Sequence, residues 1–271
     1  MSEYFLTRHS KSNYSEYDKT LKSENPQAAF DHSKQESLDL SEAGIKLARE
    51  KAAEFFDKLK PKTDRLFFVT SNEARVIGTA NIYRLEAKAR GFEIIKPEHT
   101  RSNLAEKEGE GELRAIETLS LNTKNTLQFL VFSSSEPSVN WANVDDDFKQ
   151  RWQEARKIIE EDNKGSWGSN FAAHSSEIKR IFPDIETAEQ FYNTKFRNIL
   201  RLIKWADKKT RGMEGKQIKV LGFGHEDYLV KFLQEEFSQE GIQNCETIQF
   251  NIDEQANIQA EAGGQTKEVN T

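Results

Sequence analysis

The sequence predicts an α/β protein, a mainly parallel sheet covered by helices. Three observations predict it. Apolar runs such as Leu66-Phe67-Phe68-Val69 and Ile218-Lys219-Val220-Leu221 have the length of buried strands. Segments of helical period alternate with them in the order β-α-β-α-β over residues 3–95. Polar clusters, Arg8-His9-Ser10, Thr70-Ser71-Asn72 and Gly224-His225-Glu226, stand where predicted strands end.

Residues 3–7 read as a short buried strand, and residues 10–38 as a long polar loop. Ser41 is a candidate helix N-cap, because its hydroxyl can accept from a free N–H of the first turn. Leu47, Ala48, Ala52, Phe55, Phe56 and Leu59 then recur at helical spacing until Pro61. Residues 65–70 predict the second strand, a helix runs from about Asn72 to Ala89, and Gly91 precedes a third strand over 92–95. Residues 98–112 are acidic and contain glycine, which predicts a loop, and 127–132 predict a strand. Helices are expected over 145–162 and 186–209, with a stretch holding Trp167, Phe171 and His174 between them. Residues 217–223 predict a strand, 226–239 a helix and 246–252 a last strand. The tail over 253–271 has almost no large apolar residue, so disorder is expected there.

Bulk properties narrow the function. The 271 residues fit one large domain, or a domain with an inserted subdomain. A formal net charge of −6 disfavours nonspecific binding to nucleic acid or to an anionic membrane. It leaves room for a local basic pocket. The single cysteine, Cys245, rules out an internal disulfide and reads as a buried structural thiol. The first residues lack the basic start and apolar stretch of a signal peptide, and no run approaches a membrane span. A cytoplasmic protein is expected.

The polar clusters at the strand ends carry the chemistry. In open α/β sheets, ligands sit beyond the carboxyl ends of the strands. An imidazole at His9 can attack phosphorus and split one hard displacement into two easier ones. Arg8 beside it can grip phosphate oxygens with its planar fork. Arg75 projects from the start of a helix whose unpaired N–H groups favour anions. His225 follows Gly222-Phe223-Gly224, where backbone can come close, and can donate to oxygens that gain negative charge. Taken singly, each has an ordinary structural use: a surface pair, a solvated helix arginine, a packed or capping histidine. Together, all three clusters stand at the carboxyl ends of predicted strands and suit one phosphoryl group.

Arg8-His9, then Ser71 to Arg75 with Thr79-Ala80, then Gly224-His225-Glu226 resemble, in this chain order, the markers of the histidine phosphatase (phosphoglycerate-mutase-like) superfamily. The resemblance covers about residues 1–112 and 215–252. It implies a three-layer α/β/α sandwich; one domain over 1–252 is expected, in which the unmatched 113–214 is read as a variable insertion or cap. It also implies that His9 is phosphorylated while Arg8, Arg75 and His225 hold the phosphate. The acid that protonates the leaving oxygen would come from Leu104-Ala105-Glu106-Lys107-Glu108-Gly109, with Glu106 the choice and Glu108 the reserve; the same acidic run also reads as a solvated loop. Ser10 stands where the family usually has glycine, and could offer its N–H and hydroxyl to phosphate. Lys11 stands where Glu or Gln is common, and Asn13 lies two positions earlier than the family's usual Asn.

These readings lead to a metal-independent phosphomonoesterase without a cofactor, acting on a small phosphorylated substrate. Two rivals stay open: a phosphomutase with the same phosphohistidine, and a non-catalytic phospholigand-binding protein. His32, His99 and His174 have no spacing typical of a metal site. Trp141, Trp152, Trp167 and Trp205 all fall in 113–214 and suit a cap, a partner surface or core packing. Substrate and oligomeric state are left open by the sequence.

Overall fold

A computed structural model of the chain describes residues 2–13, 40–70, 74–95, 146–161, 167–183, 187–210 and 217–269. Seven strands form one sheet: β1 (Ser2–Arg8), β2 (Asp64–Thr70), β3 (Glu93–Ile94), β4 (Gln217–Gly224), β5 (Thr247–Ile252), β6 (Ile258–Ala262) and β7 (Gln265–Val269). Their order across the sheet is β3-β2-β4-β1-β5-β6-β7. The described helices are α1 (Glu42–Phe56), α2 (Ala74–Ala89), α3 (Asp146–Glu161), α4 (Trp167–Ile181), α5 (Ala188–Phe191), α6 (Arg197–Thr210) and α7 (Glu226–Phe237), with a π-helical turn, Tyr192–Phe196, joining α5 to α6.

Local chemistry explains the helix starts. Ser41 caps α1, its side chain accepting from the Gly44 N–H. Thr187 and Gln190 form a reciprocal capping box at α5. The predicted helix over 186–209 is therefore present, but in three pieces.

Strand alternation divides the core. Tyr4 and Leu6 of β1 join Phe250, Ile252, Ile258 and Ala260 in a cluster closed by Phe196, Leu200 and Ile203 and by Leu229, Phe232, Leu233 and Phe237 of α7. Phe5, with Leu66, Phe68, Leu221 and Phe223, belongs to a second cluster with Ala52 and Phe56 of α1 and Val76, Ala80 and Tyr83 of α2. A strand's neighbouring side chains point to opposite faces, so the sheet carries one cluster on each side.

Two expectations need correction. The sheet is mixed, not mainly parallel. β3, β2, β4 and β1 pair in parallel, whereas β1–β5, β5–β6 and β6–β7 pair antiparallel. Antiparallel strands tolerate a solvated face. Here Gln259 and Glu261 of β6 are exposed while Ile258, Ala260 and Ala262 are buried. The tail expected to be disordered forms β6 and β7 instead. In β6 Ile258, Ala260 and Ala262 alternate with exposed residues, and Gly263 and Gly264, at φ 56° and 76°, close the two-residue turn of a hairpin. The sheet thus extends past residue 252, the expected domain end.

Within 113–214, the described parts are helical. Tyr192, Phe196, Leu200 and Ile203 are buried in the first core cluster. The expected strand over 127–132, His32, His99, Trp141 and the side chains of Trp152, Trp167 and Trp205 lie outside the described residues. No helix among the described residues is long and apolar enough to cross a membrane.

Candidate active site

The register of the parallel strands sets the site. Arg8 of β1 pairs with Gly224 of β4, and Thr70 of β2 pairs with Phe223. The three strands therefore end level with one another. His9, His225 and the entry to α2 leave the sheet at the same edge, as the crevice rule for such sheets requires.

Arg75, in the first turn of α2, joins the two histidines. Its Nε–H donates to His9 Nε2 over 3.2 Å, and its Nη2 lies 3.4 Å from His225 Nδ1. The two imidazole rings have centroids 5.1 Å apart, inclined by 66°. Guanidinium groups only donate, so His9 Nε2 and His225 Nδ1 are both acceptors. Each ring in its neutral form then carries its proton on the other nitrogen. For His9 that nitrogen has a partner: Nδ1 donates to the Ser10 carbonyl over 2.6 Å. The lone pair of His9 Nε2 is thereby directed towards Arg75. His225 occupies the N-cap position of α7 without making a capping bond.

Arg8 is held differently. Its Nη2 meets Glu226 Oε2 at 3.0 Å, and its Nη1 donates to the Ile242 carbonyl. Its Nε–H is buried without a hydrogen-bond acceptor, a donor that an anion could satisfy. Glu226 is itself buried beside His225.

Two guanidiniums around two imidazoles make the site electropositive. Protein packed around its ring is the largest cause holding His9 well below the usual histidine value, although the residue keeps some exposed surface. The Arg75 charge and the neighbouring His225 add to this, the Ser10 carbonyl opposes it, and Arg8 contributes last. His225 is lowered in the same way by burial, then by Arg75 and Arg8. Both rings are therefore neutral near pH 7, and a neutral His9 is the form able to attack phosphorus.

Arg8, His9, Arg75 and His225 are thus neighbours. Ser10, expected to bind phosphate, is turned away from that task. Its N–H donates to Thr79 Oγ1 over 3.0 Å, and its hydroxyl donates to the Gly44 carbonyl over 2.7 Å. The residue is fully buried. A polar group inside the protein takes the partners around it, and Ser10 finds two. Glu106 and Glu108 lie outside the described residues, as do Ser71, Asn72 and Glu73. His174 stands apart on α4, 3.6 Å from Glu177.

Several residues of the site had no sequence signal. Glu226 was visible beside His225, but its pairing with Arg8 was not. Residues 242–246 wrap the Arg8-His9 segment from far along the chain. Arg8 N–H donates to the Glu246 carbonyl at 3.1 Å, the Cys245 N–H to the Arg8 carbonyl at 3.0 Å, and Asn244 Nδ2 to the His9 carbonyl at 2.9 Å. Cys245, at φ 61°, lies in the tight turn that brings these groups back to β1.

No protein-family model matches the chain, and no curated protein matches it. Among solved structures it is similar to a mycobacterial glucosyl-3-phosphoglycerate phosphatase, at 13% identity over 93% of each chain with a TM-score of 0.36. It is similar to a Hafnia alvei phytase in complex with tartrate, at 10% identity over 96% of this chain and 83% of that one, with a TM-score of 0.41. A phosphoglycerate mutase from Plasmodium falciparum matches at 11% identity over 99% and 98%, with a TM-score of 0.35. Their names are those of a phosphatase, a phytase and a phosphoglycerate mutase. Likeness at this level leaves the chemistry to be argued from the side chains of this chain.

Proposed function

We propose that this chain is a metal-independent phosphomonoesterase that works through a phosphohistidine at His9. The observation that carries the reading is the His9 ring itself. Its Nδ1 is tied to the Ser10 carbonyl at 2.6 Å, and its Nε2 lies 3.2 Å from the Arg75 guanidinium with His225 beside it. A nucleophilic lone pair among positive donors suits in-line attack on a phosphate ester.

In the first step Nε2 of His9 forms a bond to phosphorus while the ester P–O bond breaks. Arg8, Arg75 and the Nε2–H of His225 take up the growing charge on the phosphoryl oxygens. The leaving oxygen receives a proton from a carboxylic acid, for which Glu106 is proposed and Glu108 is the reserve. In the second step water gives a proton back to that carboxylate as its oxygen attacks phosphorus, the N–P bond breaks with its electron pair returning to His9 Nε2, and inorganic phosphate leaves. We read the architecture as a single three-layer α/β/α domain, carrying the hairpin β6–β7 at its edge. A small phosphorylated substrate in the cytoplasm is proposed, with neither nucleic acid nor membrane as partner.

The test is hydrolysis of p-nitrophenyl phosphate with EDTA present, comparing wild type with His9→Ala. The expected loss is 1,000-fold or more, on the order of what removal of a covalent nucleophile causes. Equal turnover by both proteins rejects the mechanism. An acid-labile phosphoenzyme that passes its phosphate to an added alcohol acceptor in preference to water would favour the mutase instead.

A further inference from the structure

The peptide group between His9 and Ser10 is held at both ends by side chains remote in sequence. Its carbonyl accepts from Asn244 Nδ2 at 2.9 Å, and its N–H donates to Thr79 Oγ1 at 3.0 Å. The same Thr79 hydroxyl donates to the Arg75 carbonyl at 2.8 Å. A hydroxyl gives one proton and accepts through its lone pairs, so Thr79 can make both bonds at once. Thr79 and Ser10 are fully buried, which makes an unpaired N–H there costly.

We propose that Thr79 and Asn244 are positioning residues for the nucleophile, acting as a two-sided clamp on the His9–Ser10 peptide. Fixing that plane fixes His9 ψ and Ser10 φ. With the following residues held through the Ser10 hydroxyl and the Lys11 carbonyl, the His9 Nδ1–H donates to the Ser10 carbonyl over 2.6 Å. That bond keeps the lone pair on Nε2. Thr79 also ties the peptide to the backbone of Arg75, so the nucleophile and the clamping arginine keep one spacing. Asn244 closes the other side from the turn that already binds Arg8 through Ile242, Cys245 and Glu246. Thr79 and Asn244 bond to backbone here and act through the His9 ring. The inference rests on the phosphohistidine reading for its kinetic consequence, but its structural part stands by itself.

The test uses Thr79→Val, Thr79→Ser, Asn244→Ala and the double variant Thr79→Val/Asn244→Ala in the full chain. Two readouts are taken on each: imidazole ¹⁵N shifts of His9 against pH, and the single-turnover rate of phosphoenzyme formation. Thermal melts set the fraction folded. Thr79→Val and Asn244→Ala are each expected to mix the His9 tautomers and to slow phosphorylation 10- to 100-fold while remaining folded. Thr79→Ser, which keeps the hydroxyl, is expected to stay within threefold of wild type on both readouts. The double variant is expected to lose less than the product of the single losses, because both act on one peptide. His9 shifts unchanged in Thr79→Val and Asn244→Ala, or Thr79→Ser as defective as Thr79→Val, would overturn the clamp. A wild type without phosphoenzyme would reject the phosphohistidine reading alone, and the ¹⁵N shifts would still decide the clamp.

Discussion

His9 and His225 show how burial and a few charges together set a pH response. Each ring is held well below the ordinary histidine value, by burial first and by Arg75 next. The unfolded chain takes up these protons near pH 6.5, while the folded chain stays neutral. Below that pH the unfolded state binds more protons, so stability rises with pH. The stability tied to the two rings is present above about 6.5 and is lost as pH falls towards their folded values. The loss is about 1 kcal/mol per histidine for each pH unit below 6.5, until the folded values are reached. Urea unfolding between pH 7.5 and 5 should show this slope in wild type, and a flatter one in His9→Asn/His225→Asn. Equal slopes would mean that neither ring is held neutral by the fold. Added inorganic phosphate should weaken the wild-type slope, because a bound anion favours the charged imidazoles. At this scale the sequence brought out Arg8, His9, Arg75 and His225 as polar residues at strand ends, and the fold sets them side by side. It was silent where a residue's setting depends on a partner. Ser10 could have faced a ligand or the interior, and only the positions of Thr79 and the Gly44 carbonyl decide between them. Asn244, far along the chain and without a motif around it, offered no clue.

At the level of elements, the first turn of α1 links helix stability to the site. Ser41 accepts from the Gly44 N–H, the Ser41 N–H donates to the Lys11 carbonyl, and the Gly44 carbonyl accepts from Ser10. The helix start and the segment that follows β1 are thus laid backbone against backbone. A Cβ on Gly44 would lie 2.0 Å from the Lys11 carbonyl oxygen. That atom is backbone and cannot swing aside. Gly44→Ala is therefore expected to cost about 1–3 kcal/mol, in the range of overpacking. It should also weaken inorganic phosphate binding, because Ser10 would be displaced with the loop. A urea titration and a calorimetric phosphate titration check the two effects; a variant as stable and as tight as wild type would show that the loop yields freely. The Ser41 cap was legible because capping is local chemistry. The need for glycine three residues on was not, since it arises from contact with a segment met only in the fold. The π turn between α5 and α6 is a similar case. Apolar periodicity identified the helix, but the extra residue that brings both Tyr192 and Phe196 inward follows from packing against α7.

Over the whole molecule, the direction of β5 ties the sheet to the site. A strand after α7 would continue the parallel pattern if it started at the opposite edge of the sheet. Instead the connector over 238–246 returns to the carboxyl end of β1, where Cys245 and Glu246 bond to the Arg8 backbone, and β5 then runs antiparallel to β1. Periodicity reads the strand and not its direction, which is why the parallel expectation holds for β1 to β4 and fails at β5. The antiparallel edge then needs cover for Phe250 and Ile252, and β6 supplies it with Ile258 and Ala260, fully buried beside them. β7 adds the buried Val269, and Lys267 lies over the Phe237 ring at 5.8 Å. Removing the hairpin would unpair β5 along one side and take Ile258 and Val269 from the core. Burial of two such side chains stabilises by roughly 3–6 kcal/mol before strain or pairing is counted. A chain ending at residue 253 is accordingly expected to unfold at clearly lower urea concentration than the full chain. It should also bind inorganic phosphate more weakly, because a loosened β5 frees the turn that holds Arg8 and His9. A shortened chain with the full chain's urea midpoint would mean that the hairpin only decorates the sheet. A lower midpoint with unchanged phosphate affinity would mean that the turn over 242–246 holds its shape without the strand that follows it.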